Sequence, residues 1–269
     1  MKHAVVFSLS ILSVHLCMFS AHAMEFEIVH GNRSIPEVAL TFDGDWLNNA
    51  ADLVLNTLQE KSIHSTFFLT GRFMRKYPET VKRIVADGHE VGNHTLTHPL
   101  WAEVKEGVYT LVTDVSKETV VRELLPVKKQ FEELTGKPMA PYWRPPYGGR
   151  TSTINGWANE LGFTSIYWGI DSLDWMPGDH DLADVAKERV DRILELGSQP
   201  KTANGLIILM HIGSVGDMRD PLPDLHEMLP EIICKYRSNG YVFVTVSELI
   251  NDTFVGKCEG CSESVKDAS

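Results

Sequence analysis

Cysteine is scarce in this sequence, with four among 269 residues. So low a content excludes a small scaffold held together by several disulfides. Three of the four, Cys234, Cys258 and Cys261, lie toward the C-terminus, where one disulfide tying the tail to the body is compatible with an exported protein. Which two would pair stays open. Half of a zinc site at Cys258 and Cys261 is the alternative, but the tail holds no second pair of ligands.

Positive charge is also in short supply. The chain holds 25 Lys and Arg against 36 Asp and Glu, a net charge of −11, and its basic residues do not gather into a patch. Nucleic acids and anionic membranes attract proteins through clustered cations, so neither is expected as a partner. The overall charge offers no electrostatic help toward a strongly acidic polymer either.

A hydrophobic run long enough to span a membrane is missing too. The most apolar stretch runs from Ala4 to Leu12 behind Met1-Lys2-His3, and Ala21-His22-Ala23 follows it. A positive start, a short apolar region and an A-x-A site are typical of a secretory signal peptide rather than of a membrane helix. We therefore predict that residues 1–23 are a signal peptide, that the protein is periplasmic or secreted, and that it keeps no stable membrane anchor.

The rest of the chain reads as one domain with a short extension. Residues 24–255 are expected to form the domain, and residues 256–269, which are small, polar and aperiodic, a flexible tail. Short apolar runs alternate with longer amphipathic ones, the pattern of a βα repeat. Seven runs resemble strands: 38–42, 66–69, 90–91, 142–143, 163–170, 206–210 and 241–246. Seven parallel strands with crossover helices favour a closed α/β barrel, with a doubly wound open sheet as the alternative.

Amphipathic patterns between the strands predict helices, and two regions are irregular. The predicted helices include Pro78 to Gly88 and segments at about 153–161, 181–196 and 224–239. Residues 101–117 are longer than a simple loop needs to be. Pro126 interrupts the helical pattern from Val120 to Leu134, where a kink or a split helix is expected because proline lacks the backbone N–H.

Ionisable side chains follow five of the predicted strands, at the point where each strand ends. In order along the chain they are Asp43, Asp45, His94, His98, Arg144, Asp171, Asp174 and His211. The carboxyl ends of parallel barrel strands converge on one face, where loops direct side chains at a common spot. Solvation of a surface does not explain such a collection, so the sequence predicts an active site at this face.

His94 and His98 are four residues apart in His94-Thr95-Leu96-Thr97-His98. One helical turn would place their Cβ atoms roughly 6 Å apart on one side, and Pro99 limits the helical piece to that single turn. Two neutral imidazoles and one carboxylate leave coordination positions open, as a catalytic zinc site requires. The alternative is two histidines on a solvated turn, and for His211 it is a core histidine at the end of the barrel.

Five ordered motifs carry a resemblance to a known family. They are Thr41-Phe42-Asp43, the paired-histidine motif, Arg144-Pro145-Pro146-Tyr147, Asp171-Ser172-Leu173-Asp174-Trp175 and Leu209-Met210-His211. In this order they resemble the motifs of the NodB-type polysaccharide deacetylases, carbohydrate esterase family four, over about residues 36–250. The resemblance implies a distorted (β/α) barrel of seven or eight units, a single catalytic domain, and hydrolysis of N- or O-acetyl groups on a polysaccharide. It also implies a divalent metal, usually Zn²⁺, with another such as Co²⁺ as the alternative.

The resemblance assigns roles to the hydrolytic groups. Asp43 would be the general base that takes a proton from the attacking water, and His94 and His98 would hold the metal. His211 would be the general acid that protonates the leaving amine, with Asp174 tuning its pKa. Amide hydrolysis needs an activated water and a proton for a poor leaving group, which fits these residue types.

Further roles implied by the resemblance concern orientation and substrate binding. Arg144 would orient Asp43 through a charge-assisted pair. Tyr147 would offer its backbone N–H to the oxyanion, and Trp175 and Leu209 would line the acetyl pocket.

One position departs from the family pattern. The family has two adjacent aspartates in its first motif, the second a metal ligand, whereas Gly44 stands between Asp43 and Asp45 here. Glycine permits backbone angles that could let Asp45 reach the metal from one position further on. We predict Asp45 as the third protein ligand; a site of two histidines completed by water is the alternative.

The expected activity is removal of acetyl groups from an N-acetylated amino-sugar polysaccharide, with the N-acetylglucosamine of peptidoglycan as the first expected substrate. A chitin-oligosaccharide deacetylase or an acetylxylan esterase would use the same site. A catalytically inactive sugar-binding domain is the contrasting class, although a binder has no need of both a base and an acid. The oligomeric state stays open.

Overall fold

The computed structural model of the protein describes residues 27–106, 108–112, 114–175, 180–213 and 225–255. The strands in this part of the chain are β1 (Glu27–Ile28), β2 (Glu37–Gly44), β3 (Thr66–Leu69), β4 (Glu90–Asn93), β5 (Ala102–Lys105), β6 (Val108–Leu111), β7 (Tyr142–Trp143), β8 (Thr164–Ile166), β9 (Ile170–Asp171), β10 (Leu206–His211) and β11 (Val242–Phe243). The helices are α1 (Ala51–Glu60), α2 (Gly71–Lys76), α3 (Pro78–Ala86), α4 (Lys117–Thr135), α5 (Ser152–Glu160), α6 (His180–Gly197), α7 (Leu225–Ser238) and α8 (Val246–Val255).

Nine of the described strands form one parallel sheet. Its order is β1-β8-β7-β4-β3-β2-β10-β9, and β11 pairs with the start of β2. Among the described residues β1 and β9 are the two edges and do not pair with each other, so the sheet is an incompletely closed barrel with helices packed against it. The prediction of a distorted α/β barrel in a single domain is confirmed, and full closure is not observed.

The centre of the sheet is buried because its strands are apolar on both faces. Seven of the eight residues of β2 are buried, as expected for a parallel strand covered on both sides. Phe42 and Phe67 stack across β2 and β3 with ring centroids 5.1 Å apart. The buried Val54, Leu55 and Leu58 of helix α1 belong to the same hydrophobic cluster as these two rings. The same strands end in polar residues, so the apolar core fixes the position of the site.

Several predicted elements agree closely with the structure, and others do not. The predicted helices at 153–161, 181–196 and 224–239 correspond to α5, α6 and α7, each within one residue at either end. The run 163–170 is two strands, β8 and β9, on different parts of the sheet. Strands β5 and β6 pair with each other in antiparallel orientation, which the sequence did not reveal.

Helix α4 is one helix of 19 residues that contains Pro126, so the predicted split is wrong, whereas the kink that was the other expectation stays a prediction. Pro126 is exposed, so the carbonyl of Arg122 that loses its N–H partner can bind water instead. The buried face of the helix, with Val120, Leu124 and Val127, continues through the proline. Packing of this face outweighs the lost hydrogen bond.

Three predictions fall outside the described residues: the signal peptide at 1–23, the flexible tail at 256–269, and the disulfide that would tie the tail, through Cys258 or Cys261, to the body. Cys234 is exposed on α7 and forms no disulfide with any described residue. No helix in the described ranges is both long enough and apolar enough to cross a membrane.

Candidate active site

A cavity of about 360 Å³ opens at the carboxyl ends of the central strands. This volume is within the usual range for small-ligand sites, roughly 300–1,000 Å³. Its lining comes from strand ends and the loops that follow them: Asp43, Asp45, Trp46, Leu47, His94, His98, Pro145, Tyr147, Gly148, Trp168, Asp171, Trp175, Leu209, His211 and Gly213. Most of the residues predicted for the site therefore meet at one place.

Asp43 and Arg144 form a buried ion pair beneath the cavity. Asp43 is 4% exposed and Arg144 is fully buried, and Nη1 of Arg144 donates to Oδ1 of Asp43 at 2.7 Å. The other guanidinium nitrogens donate to the carbonyls of Ile166 and Tyr167 at 3.2 and 3.3 Å, and the group lies over the ring of Phe68. Burial lowers the pKa of Arg144, against the pull of Asp43. Because each of its three guanidinium nitrogens donates a hydrogen bond, Arg144 is fixed and holds the Asp43 carboxylate in one orientation.

The segment from His94 to His98 is a loop, and the predicted helical turn is wrong. Thr95 and His98 have left-handed φ values of 70° and 59°. The Asn93 side chain accepts from the N–H of Thr95 at 2.9 Å, and the Thr95 hydroxyl accepts from the N–H of His98 at 3.1 Å. These local side-chain bonds replace the backbone bonds of a helical turn. The two imidazoles still meet, with centroids 4.8 Å apart.

Glu123 on α4 anchors this loop from outside. Its Oε2 accepts from the N–H groups of Leu96 and Thr97 at 2.9 and 2.8 Å, and Oε1 accepts from the Thr97 hydroxyl at 2.8 Å. Sequence reasoning gave Glu123 no role. A carboxylate on an amphipathic helix, some 26 residues from its partners, carries no sequence signal of this kind.

Both histidines of the loop are neutral in this environment. Burial lowers the pKa of His94, and burial together with His94 lowers the pKa of His98 to about 3. Nδ1 of His94 donates to the carbonyl of Arg144 at 2.8 Å, which leaves Nε2 as an acceptor 3.5 Å from Oδ2 of Asp43. A neutral imidazole held by a backbone carbonyl through its other nitrogen is the usual arrangement of a metal-ligating histidine. His94 and His98 thus fit a divalent ion.

Asp45 has a different partner in the structure. Both of its carboxylate oxygens accept from Arg72, Oδ1 also accepts from the Thr70 hydroxyl at 3.1 Å, and Nδ1 of His98 lies 3.9 Å from Oδ2. Burial opposes ionisation of Asp45, but the Arg72 pair outweighs it and lowers the pKa. Among the described residues, no three His, Cys, Asp or Glu side chains are arranged to hold an ion as they stand. The assignment of Asp45 as a metal ligand stays a prediction.

Gly44 faces away from the cavity. A Cβ at this position would lie 2.7 Å from Leu69 and 3.0 Å from Ile212, both in the hydrophobic core. A carboxylate at position 44 would therefore require the core to move. With this backbone, Asp45 is the next residue whose side chain can face the cavity.

His211 and Asp174 form a second pair at the cavity. Nδ1 of His211 donates to Oδ1 of Asp174 at 2.7 Å, and the backbone N–H of His211 donates to Oδ2 at 2.8 Å. Desolvation favours the neutral imidazole, but the adjacent Asp174 carboxylate outweighs it and raises the pKa of His211 to about 9. His211 is therefore an imidazolium at neutral pH, and it lines the same cavity as Asp43.

The two residues predicted to bind the acetyl group lie at different depths. Leu209 is buried in the wall, and Trp175 is 44% exposed at the rim. Asp171 positions the rim residue, because its Oδ2 accepts from the indole N–H of Trp175 at 3.3 Å and its Oδ1 from the N–H of Leu173 at 2.8 Å. Sequence reasoning noted Asp171 as part of a motif but missed this role.

Other aromatic rings complete the cavity. Tyr147 has a left-handed φ of 56°, and its exposed ring meets the ring of His98 edge-on with centroids 4.5 Å apart. Trp46 and Trp168 also line the cavity, and sequence reasoning missed both. The position of Trp46 directly after Asp45, a predicted site residue, was the one sequence feature that could have indicated its place at the cavity.

The site combines a buried, oriented carboxylate with a histidine cation, and two neutral imidazoles lie in the same cavity. On a parallel α/β barrel with these groups at the carboxyl ends of the strands, this combination defines a hydrolytic enzyme.

The comparison with known proteins identifies the family within this class. The polysaccharide deacetylase family model matches residues 30–166. The chain belongs to the NodB-type polysaccharide deacetylases, carbohydrate esterase family four. The resemblance found in its five motifs and the expected enzyme class are thereby confirmed.

The similar proteins include some that are named as deacetylases or esterases and one that is called a pseudoenzyme. A peptidoglycan-N-acetylglucosamine deacetylase of Bacillus cereus is 30% identical over 213 residues, which cover 79% of this chain and 87% of the relative. The structure of Bacillus subtilis PdaA, a family 4 carbohydrate esterase, is similar with a TM-score of 0.66, 26% identity, and coverage of 85% and 86% of the two chains. The Bacillus anthracis family pseudoenzyme BA3943 has a TM-score of 0.64 and 26% identity, covering 83% of this chain and 68% of that one.

Proposed function

We propose that the protein is an exported, metal-dependent deacetylase that removes N-acetyl groups from an amino-sugar polysaccharide, with the N-acetylglucosamine of peptidoglycan as its substrate. The observation that carries the proposal is the pair of opposed proton-transfer groups in one cavity. Asp43 is held as an acceptor by Arg144, and His211 is held as a donor by Asp174. A site that only bound sugar would gain nothing from both.

The geometry supports a division of labour between the two pairs. The Asp43 carboxylate would take a proton from the attacking water, and Arg144 keeps that carboxylate aimed at the cavity. Nδ1 of His211 donates a hydrogen bond to Asp174, so the proton on Nε2 of His211 is the one that can be transferred to the leaving nitrogen. An amine is a poor leaving group, so a positioned acid contributes directly to the rate, typically 10²–10⁴-fold.

A divalent ion such as Zn²⁺ or Co²⁺ would add Lewis-acid polarisation of the amide carbonyl and activation of the water. His94 and His98 would hold it. The third ligand is proposed to be Asp45, whose carboxylate would be shared between the ion and Arg72. Tyr147 lines the same cavity, and its backbone N–H is proposed to donate to the oxyanion.

Two further features support the substrate and the location. The B. cereus relative is named for peptidoglycan N-acetylglucosamine, and B. subtilis PdaA is also named a peptidoglycan-N-acetylmuramic acid deacetylase. The signal-peptide pattern at residues 1–23 would bring this protein to the compartment where that polymer lies. Trp175 and Leu209 would enclose the acetyl methyl group.

The proposal is tested by acetate release from the purified chain of residues 24–269. Peptidoglycan glycan strands, chitin oligosaccharides and acetylxylan are incubated with Zn²⁺, with Co²⁺ and with a chelator. We expect acetate from peptidoglycan glycan that the chelator abolishes, and loss of most activity in Asp43→Asn and His211→Gln.

Two outcomes would change the proposal. Faster release from chitin oligosaccharides or acetylxylan would reassign the substrate. Acetate release no higher than the chelated control on all three polymers, with glycan binding retained, would favour the sugar-binding class, to which the similarity to a pseudoenzyme gives some support.

A further inference from the structure

Trp46 is an exposed aromatic ring at the rim of the cavity, outside the five motifs. Its side chain is 59% exposed, although the residue lines the cavity. Its backbone carbonyl accepts from Nζ of Lys76 and from the hydroxyl of Tyr77, both at 3.1 Å. Two donors from α2 and its C-terminal end therefore hold the residue in place. A ring fixed at a rim and open to solvent is suited to stacking on a flat ligand surface such as a pyranose ring.

Cationic side chains of α2 surround this ring. Nζ of Lys76 lies 4.4 Å from the centroid of Trp46, and the guanidinium carbon of Arg72 lies 5.5 Å from it. Arg72 is neutralised by Asp45. Lys76 is exposed, and among the described residues no carboxylate lies within ion-pair distance of its ammonium group. An unpaired positive charge therefore sits beside the ring.

This local positive charge is opposite in sign to the net charge of the whole chain, which is −11. A neutral polymer such as chitin would make no use of it. A glycan in which the neighbouring sugar carries a free carboxylate offers both a pyranose face and an anion. Muramic acid is such a sugar once the stem peptide that is amide-linked to its lactyl group has been removed. The total charge of the chain offers no electrostatic help to an acidic polymer, whereas Lys76 places one positive charge at this rim.

We propose that Trp46 and Lys76 form a subsite for a carboxylate-bearing sugar next to the acetylated unit that is hydrolysed. The sugar packs against the exposed part of the indole, and its carboxylate pairs with the Lys76 ammonium group, which lies 4.4 Å from the ring centroid. The subsite rests on the proposed function, since it assigns that enzyme a carboxylated amino-sugar glycan over a neutral one.

The test compares two substrates that differ in charge alone. Glycan strands of alternating N-acetylglucosamine and N-acetylmuramic acid are used as they are and with their carboxyl groups amidated. The ratio of kcat/KM for the two forms is measured for the wild type, Lys76→Gln, Lys76→Arg and the control Lys82→Gln. Lys82 is an exposed lysine of α3 already paired with Glu79 and does not line the cavity.

We expect the wild type to prefer the carboxylated form, and Lys76→Gln to lower that ratio about two- to fivefold, the range for an exposed ion pair. Lys76→Arg, which keeps the positive charge, and the control Lys82→Gln should both have the same ratio as the wild type. Trp46→Ala should weaken binding of both forms about five- to tenfold through lost apolar contact. The preference should also shrink as salt is raised. A ratio that is the same in wild type and Lys76→Gln would overturn the proposal.

Calorimetric binding of the same two glycans to the His211→Gln protein separates the two hypotheses. Acetate release with no preference for the carboxylated glycan in either assay would support the deacetylase activity and contradict the subsite. The opposite result is also possible: the wild type releases no acetate, yet His211→Gln binds the carboxylated glycan more tightly and His211→Gln/Lys76→Gln does not. That result would support the subsite and contradict the proposed activity.

Discussion

His211 is the residue whose chemistry depends most on a single neighbour. Asp174 bonds its ring and its backbone N–H, and raises the pKa of the imidazole to about 9 against the effect of desolvation. A histidine with an ordinary pKa would be mostly neutral above pH 7. In this site it stays a proton donor across the neutral range, as a general acid must.

We predict that kcat/KM falls as the pH rises through about 9, because the acid then loses its proton. In Asp174→Asn this alkaline limb should move to lower pH, since the carboxylate that stabilises the imidazolium is gone. Acetate release measured from pH 6 to 10 checks both. An alkaline limb at the same pH in the two proteins would show that His211 is not the group responsible.

Asp45 is the second residue whose role depends on a neighbour. Arg72 donates to both carboxylate oxygens, so its positive charge competes with a bound cation for Asp45. Zn²⁺ titration of the chelator-treated protein measures the competition without any activity assay.

We predict that Arg72→Gln binds Zn²⁺ more tightly than the wild type. We also predict that Asp45→Ala binds it at least about 10-fold more weakly, because loss of a ligand should cost at least as much as loss of an outer-shell partner. Arg83→Gln is the control, because Arg83 pairs with Asp52 and Asp87 and does not line the cavity. Unchanged affinity in both Arg72→Gln and Asp45→Ala would leave a site of two histidines completed by water.

At the scale of elements, the contact between α4 and the histidine loop connects the core to the chemistry. The loop carries two residues with left-handed φ, and its backbone donors at Leu96 and Thr97 are satisfied by Glu123. Because α4 is anchored by the buried Leu124 and Val127, the helix gives this loop a rigid support. The orientation of His94 and His98 therefore depends on a residue that touches neither ring.

We predict that Glu123→Ala lowers the free energy of unfolding by about 0.5–1.5 kcal/mol, since it removes the hydrogen bonds to the part-buried N–H of Leu96 and to the exposed Thr97, where water can replace the carboxylate. It should also weaken Zn²⁺ binding by misplacing the two imidazoles. Glu133→Ala is the matched control on the same helix, because Glu133 is exposed and its pair with Lys129 is worth at most a few tenths of a kcal/mol. Equal unfolding midpoints for the two variants in urea would contradict this anchoring role.

At the scale of the whole molecule, the active-site charges contribute to stability. The pKa of His211 is raised in the folded protein, so protonation of His211 stabilises the fold. The contribution is fully present below about pH 6.5, the ordinary pKa of histidine, and is lost as the pH rises through about 9. Asp174 supplies most of it.

We predict that wild type exceeds Asp174→Asn in unfolding free energy by on the order of 3 kcal/mol near pH 6, and that this difference declines between pH 6.5 and 9. Taking the difference cancels groups that titrate alike in both proteins. Urea unfolding at several pH values provides the measurement, and a difference that stays constant from pH 6 to 10 would argue against the coupling.

Much of the fold and of the site followed from the sequence alone. Alternating apolar and amphipathic runs predicted the βα repeat, because a parallel strand buried on both faces must be apolar along its length. The polar residues directly after those runs could be placed at one face, because parallel strands end together. Asp43, His94, Arg144 and His211 were found in this way.

The tertiary structure alone decided the partners. Arg72 with Asp45, Glu123 with the histidine loop, and Lys76 with Trp46 join residues about 26 to 30 positions apart, so no local period links them. The backbone at Thr95 and His98 likewise follows side-chain hydrogen bonds and not helical spacing. Strands and helices follow from short-range pattern and burial, whereas the ligand environment depends on which elements the folded chain brings side by side.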